Sequence, residues 1–382
     1  MKVCVVVNNS VWYDPRVKKQ IEEYNRAGLD VCVVGLRDKR YDSSEISRIS
    51  GQVTIVDISS SYYTGHRSYF KIIKREYLIV KRITKAIVHF KPNVIHANDL
   101  NALIPSYYAS KRLSCGLVYD SHEIWLENFA PSFAEKTIYG YFERKIVKKV
   151  DKFICVSHAT ADYFANKYGI EKPWVITNCV RKVQPSVRCA QKSSFFEVLN
   201  HGLFYKGRGY DLMINAAKSL TEPSIHYVLR GFGSLEETLR AEVSNNNLTN
   251  VVFEPPVKVE DLIPLAAHSH VGIAITEPVC LSFKLTVSNK LFEYAAAGLP
   301  VIMSDVPEHR YLNDKYRFGI VLKDNSVECL NEAVEQLYKD NALYNELSQN
   351  AISFSEKINW ENEFEKLISF ELSQFGENKR DD

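Results

Sequence analysis

Hydrophobic positions along the chain fall into two alternating kinds of segment. Short runs rich in Val and Ile, apolar almost throughout, lie at 2–7, 31–36, 53–58, 93–97, 116–120 and 152–157. Between them, apolar residues recur every three or four positions at 16–27, 69–90, 101–111, 133–150 and 159–168. The first kind predicts strands buried on both faces and the second predicts amphipathic helices. Their alternation predicts a parallel sheet covered on both sides. The stretch 180–195 has no usable period and reads as a linker. Beyond it the pattern resumes, with strands at 196–200, 225–230, 250–254, 270–275, 299–303 and 319–322. Helices are expected at 209–220, 234–244, 259–267, 288–297 and 326–338, and a last amphipathic stretch covers 360–375.

The fold class is therefore α/β, with two doubly wound domains at 1–182 and 195–355 and a final segment, 356–382, crossing back onto the first. Such a pair leaves a cleft, and ligands gather at the carboxyl ends of the strands. The linker and the crossing segment form a hinge, and closure expels water from the site.

The length of 382 residues agrees with two domains. A hydrophobic fraction of 46% and a charged fraction of 25% are those of a globular protein. No run reaches the roughly 18 apolar residues that would span a bilayer. The apolar start ends at Asn8-Asn9-Ser10, too short for a signal-peptide core and right for a buried strand. Eight cysteines without a C-x-x-C pair predict buried, reduced thiols and a cytoplasmic location.

Net charge is only +2, but residues 1–180 hold 27 Lys/Arg against 18 Asp/Glu, and the remainder 21 against 28. A basic half and an acidic half point to different partners. Around helix 69–90, Arg67, Lys71, Lys74, Arg75, Lys81, Arg82 and Lys85 face one acid, Glu76. A second basic stretch holds Arg144, Lys145, Lys148, Lys149 and Lys152. The helix's apolar positions are Phe70, Ile73, Tyr77, Val80, Ile83, Ile87 and Phe90. Two readings fit, a solvated basic face and peripheral contact with an anionic membrane. No RNP pattern, zinc finger or basic zipper supports nucleic acid as a partner.

Candidate chemistry sits mainly in the second half. Gly207-Arg208-Gly209 and Gly231-Phe232-Gly233 each lead into a helix, where free N–H groups and backbone access suit a phosphate. Neither completes G-x-G-x-x-G, because Leu212 and Glu236 occupy the third positions, which disfavours a nicotinamide cofactor. Ser288-Asn289-Lys290-Leu291-Phe292-Glu293 opens an Ala-rich helix stopped by Gly298. Lys290 there can neutralise a phosphate and Glu293 can accept two hydroxyls, or the two can form a plain i,i+3 pair. In the first half His122 follows a strand between Asp120 and Glu123, either of which can fix its tautomer. Asn98-Asp99 after another strand is a second wall of the cleft or a helix cap.

The phrase N-K-L-F-E-Y-x-A-A-G-L-P-V-I, with Glu277-Pro278 upstream, resembles the donor-binding region of retaining GT-B glycosyltransferases of family 4. So do His201-Gly202-Leu203 leading into Lys206-Gly207-Arg208-Gly209, and Val118-Tyr119-Asp120-Ser121-His122-Glu123. Asp14-Pro15-Arg16-Val17 and Val156-Ser157 fit as well, in the same order along nearly the whole chain. The resemblance implies two Rossmann-like domains facing a central cleft. The second would bind a UDP- or GDP-sugar through Lys206, Gly207, Arg208, Glu277, Ser288, Asn289, Lys290 and Glu293. Within that set Glu293 would hold the ribose and Arg208 the diphosphate. His122, with Asp120 and Glu123, would face the donor sugar and a glycan or lipid-linked acceptor, with Asn9, Ser10 and Asp99 beside them. Retention would follow from front-face attack.

Two departures stand out. Leu285 occupies the place of the family's first Glu, so Glu277 would take the sugar contact. Leu203 replaces an arginine, so Lys290, Lys206 or His201 would supply its charge. No Asp-x-Asp motif is present to hold a metal through the diphosphate, so transfer without metal or other cofactor is expected. A sugar-nucleotide 2-epimerase and an inactive sugar-nucleotide-binding scaffold are the alternatives.

Overall fold

The protein is described by a computed structural model covering residues 1–9, 11, 14–37, 43–49, 51–57, 69–128 and 132–376. It divides into two compact units, 1–177 with 363–382, and 178–362. The stretch 180–195, expected to be a linker, lies inside the second unit. Arg188 ties it there, donating to the Ala296 carbonyl (3.1 Å), Glu356 (2.9 Å) and Ser355 (3.0 Å).

In the first unit, seven strands form one sheet in the order β3-β2-β1-β4-β5-β6-β7. These are β1 (Lys2–Val6), β2 (Asp30–Leu36), β3 (Gln52–Val56), β4 (Val94–Asn98), β5 (Gly116–Ser121), β6 (Lys152–Cys155) and β7 (Trp174–Val175). In the second, six strands run β10-β9-β8-β11-β12-β13. Their ranges are β8 (Phe196–Leu203), β9 (Ile225–Phe232), β10 (Val251–Glu254), β11 (Val271–Ala274), β12 (Val301–Met303) and β13 (Gly319–Val321). Every pairing is parallel. Val3, Cys4, Val5 and Val6 are fully buried, which is why the central runs carry no polar face. In both sheets the order reverses beside the first strand of the unit, between β1 and β4 and between β8 and β11. Those are the switch points at which doubly wound sheets open a crevice.

Helix starts are fixed locally. Asp14 caps Pro15–Arg26, accepting from the N–H groups of Arg16 and Val17 at 3.1 Å, with Pro15 in the first turn. Ser157 caps His158–Tyr168 in the same way through Thr160. The last helix, Trp360–Phe375, sets Phe364, Leu367 and Glu371 on one buried face, and its residues from 363 onward belong to the first unit. Phe364 meets Tyr24 edge-on at 5.2 Å and Phe370 meets Trp174 at 5.5 Å.

In the basic helix Tyr69–Phe90, Ile83, Ile87 and Phe90 are buried as expected. Ile73 and Tyr77, predicted on the same apolar stripe, are instead exposed, at 41% and 62%. Arg67 and the side chains of Phe70 and Lys71 lie outside the described residues. No helix of the described residues is long and apolar enough to cross a membrane.

Candidate active site

At the first switch point, β1 leads to Asn8 and Asn9, whose side-chain Oδ1 atoms are buried without a hydrogen-bond partner. Ser10 lies outside the described residues. Asn98 ends β4 at the N-cap position of helix Asp99–Leu113, yet its side chain makes no cap bond. Its Oδ1 faces His122 Nε2 at 3.0 Å and its Nδ2 donates to the Val6 carbonyl. Asp99 sits at φ +63°, a left-handed conformation unusual for a residue with a side chain, and accepts the His122 N–H at 2.9 Å. The capping reading of this pair gives way to a siting role, because both side chains turn to His122.

His122, 16% exposed, is surrounded by acceptors. Nδ1 faces Asp99 at 3.5 Å and Asp14 at 3.9 Å, while Nε2 faces Asn98 and, at 3.6 Å, Asp120. Burial opposes a charged ring, but Asp99, Asp120 and Asp14 outweigh it and push His122 up to about 9. The ring is therefore an imidazolium at neutral pH. The sequence suggests that one flanking acid fixes the tautomer; here carboxylates on both ring nitrogens favour the doubly protonated form.

Asp120 lies one layer beneath. It forms a bidentate pair with Arg16, Nε to Oδ2 at 2.8 Å and Nη2 to Oδ1 at 2.9 Å. Gln20 Nε2 donates to the same Oδ2 at 2.6 Å, and His96 Nε2 lies 3.3 Å from it. Burial alone would raise its pKa, but Arg16 and then His122 hold it well below the usual carboxylate range. Glu123 turns away, accepting from Asn128 Nδ2 at 2.7 Å, and burial raises it. Of the two acids flanking His122, Asp120 is the one beside its ring.

At the second switch point β8 ends in His201-Gly202-Leu203. His201 Nε2 lies 2.7 Å from Glu293 Oε2, its N–H donates to the Tyr294 hydroxyl at 2.9 Å, and its Nδ1 is buried without a partner. The Glu277 N–H donates to the Gly207 carbonyl at 3.1 Å, joining the loop after β8 to the loop after β11. Lys206 in that loop is exposed. Arg208 lies over the Phe283 ring at 4.7 Å, and Lys290 reaches Asn200 Oδ1 at 2.5 Å with its ammonium 5.2 Å from the Tyr210 ring centre. Among the described residues neither cation forms an ion pair within 4 Å. Burial, then Arg208 nearby, pushes Lys290 down to about 7. Ser288 precedes helix Asn289–Ala296 and donates its N–H to buried His309 Nε2 at 3.3 Å; Asn289 is exposed. Leu203 is 48% exposed and Leu285 half-buried, so neither supplies the polar group expected at its place.

Sequence reading missed the groups that support these side chains. Arg16, Gln20 and Tyr24 are buried on the inner face of the first helix, and Glu371 is buried on the last. The available signal was a polar residue at an apolar-stripe position. Asn200 and His309 carried no such signal.

Two parallel α/β units, each with polar residues gathered at its switch point, define a two-domain, doubly wound class of fold. Against curated proteins the chain has no match. Two family models match it in order, Glycosyltransferase Family 4 over residues 16–182 and Glycosyl transferases group 1 over 191–354. The chain belongs to the family 4 type of GT-B glycosyltransferases.

Solved structures share the fold. Sucrose-phosphate synthase from Thermosynechococcus elongatus is 14% identical, with 98% of this chain and 99% of that one covered and a TM-score of 0.77. A glycosyltransferase from Rickettsia africae is also 14% identical, with 99% of each chain covered and a TM-score of 0.75. The Anabaena protein HepE, in complex with UDP, is 16% identical, covering 98% and 100%, with a TM-score of 0.75. Both family models describe glycosyltransferases, which weakens the epimerase alternative.

Proposed function

We propose that the protein transfers a sugar from a UDP- or GDP-sugar to a hydroxyl of a glycan or lipid-linked glycan, with retention and without a metal. The observation that carries this reading is the pair of half-buried cations, Arg208 and Lys290, neither of which has a carboxylate within 4 Å among the described residues. A diphosphate is a ligand whose charge suits them, and the reading assigns the ribose to Glu293, one turn along the helix from Lys290. HepE bound to UDP, a relative in fold, agrees with a uridine donor.

In the proposed step the bond from the anomeric carbon to the diphosphate breaks, and the leaving oxygen keeps the electron pair. The acceptor oxygen bonds to the same face, and its proton passes to the leaving phosphate. Arg208 and Lys290 stabilise the developing charge in place of a metal. In this reading the His122 imidazolium is a fixed positive charge at the crevice of the first unit and not a base. The test is nucleoside diphosphate release from UDP- and GDP-sugars with glycan and glycolipid acceptors, with the product's anomeric configuration read by proton NMR. Turnover that persists in EDTA with an unchanged anomer is expected. Loss of turnover in EDTA overturns the metal-free route, and an inverted anomer overturns retention.

Peripheral contact with the inner face of a cytoplasmic membrane is part of the same proposal. Phe133 (88%), Tyr141 (61%) and Tyr77 are exposed on helices that meet through Tyr139 and Glu76, with Lys145 5.7 Å from the Tyr141 ring centre and Lys74 and Lys149 on the same two basic stretches. Aromatic rings among lysines suit an anionic bilayer. Sedimentation with anionic vesicles, reduced in Phe133→Ser/Tyr141→Ser, is the expected result; equal sedimentation of both proteins counts against it.

A further inference from the structure

A chain of hydrogen bonds runs through the first unit beneath His122, and every member below the ring is fully buried. Asp120 Oδ2 is 3.3 Å from His96 Nε2, His96 Nδ1 is 2.8 Å from the Tyr24 hydroxyl, and that hydroxyl is 2.9 Å from Glu371 Oε1. The sequence gives no reason for an acid at Glu371, which shares its helix face with Phe364 and Leu367. Its other oxygen, Oε2, has no partner.

Counting protons along this chain fixes its direction. Asp120 is bonded bidentately to Arg16 and also accepts from Gln20, so it is ionised and accepts only. His96 must then donate from Nε2. Burial disfavours a charged His96 and lowers its pKa, so the ring has one proton and Nδ1 is bare. Nδ1 therefore accepts from the Tyr24 O–H. With its only proton used there, Tyr24 can meet Glu371 only as an acceptor. The reverse direction sets a bare His96 Nε2 against the Asp120 carboxylate.

We infer that Glu371 is a neutral carboxylic acid that donates to Tyr24 and so orders Tyr24, His96 and Asp120 beneath His122. It is a positioning residue carried by the last helix. The titratable groups facing it are Tyr24, from helix Pro15–Arg26, and His96 of β4, whose Nδ1 is 4.0 Å from Oε1. Its surroundings agree, since burial pushes the carboxyl up to about 8. Above that pH the acid loses its proton and the chain loses its donor.

The catalytic meaning of this chain rests on the proposed role of His122, but its direction is measured without any substrate. The full-length protein labelled with ¹⁵N-histidine is followed by long-range ¹H–¹⁵N NMR from pH 6 to 9, with His96 assigned through its loss in His96→Gln. Near pH 7 His96 should be the neutral Nε2–H tautomer, changing as pH passes about 8. Glu371→Gln, whose amide can donate to Tyr24, should keep the Nε2–H tautomer across the range. An Nδ1–H tautomer at pH 7, or the same transition in Glu371→Gln, overturns the inference.

Unfolding gives a second readout. A carboxyl raised in the fold from 4.5 to about 8 contributes stability that is complete below 4.5 and is lost as pH rises to about 8. Wild type should therefore lose midpoint relative to Glu371→Gln over that window. A constant difference between the two proteins counts against a neutral Glu371. If the histidine result holds and no sugar is transferred, the proposed function fails while this inference stands.

Discussion

Lys290 and His122 are displaced from their ordinary protonation states in opposite directions. Lys290 is pushed down to about 7 by burial beside Arg208, so its ammonium is only partly present at neutral pH before a ligand binds. A bound diphosphate restores that charge, so binding takes up a proton. Affinity for UDP should weaken by up to about tenfold per unit above pH 7. Lys290→Gln should bind more weakly with no such slope. Calorimetric titration at several pH values checks both, and parallel curves for the two proteins would contradict the account. His122 is held up at about 9 against 6.5 when unfolded. Its contribution is complete below 6.5 and lost as pH rises through 9, so denaturant melts of His122→Gln should lack the decline that wild type shows there.

Among the secondary-structure elements, the strand ends position the site, and two residues that meet them, Gly231 of β9 and Arg16 of the first helix, should be costly to change. Gly231 near the end of β9 has φ +151°, and a Cβ on it would lie 1.8 Å from the Gly202 carbonyl oxygen beside His201. Gly231→Ala should cost about 3 kcal/mol or more, read by denaturant unfolding, and should disturb nucleotide binding with it. An effect below about 1 kcal/mol would mean the strand ends can part easily. Arg16→Ala removes the bidentate partner of buried Asp120 and leaves it only Gln20, His96 and His122, for an expected loss of about 3 kcal/mol. Arg16 shows what a sequence conveys and what it does not. Asp14-Pro15 announced a helix start, and the runs of Val and Ile announced the sheet, because cap chemistry and strand burial are local. That Arg16 would reach the end of β5, 104 residues on, depends on strand order, which periodicity does not encode. The same holds for Lys290 and Asn200, and for Glu371 and Tyr24.

For the whole molecule, two sheets of one design have been given opposite charge balances and different polar groups at equivalent crevices. The first unit places an imidazolium among carboxylates, and the second places Arg208 and Lys290, without an ion pair among the described residues, in the same unit as Glu293. Motifs along the chain marked most of these residues, since Glu293, Lys290, Arg208 and His122 all fall at strand ends or helix starts. Leu203 and Leu285 marked where polar groups are lacking. The central claim is that the second unit binds a nucleoside diphosphate through Arg208, and a direct test is calorimetric titration of UDP and GDP into wild type and Arg208→Ala. Saturable binding of one diphosphate by wild type, weakened at least about tenfold in Arg208→Ala, is the predicted result. Binding of neither diphosphate by wild type, or equal binding by both proteins, would contradict it.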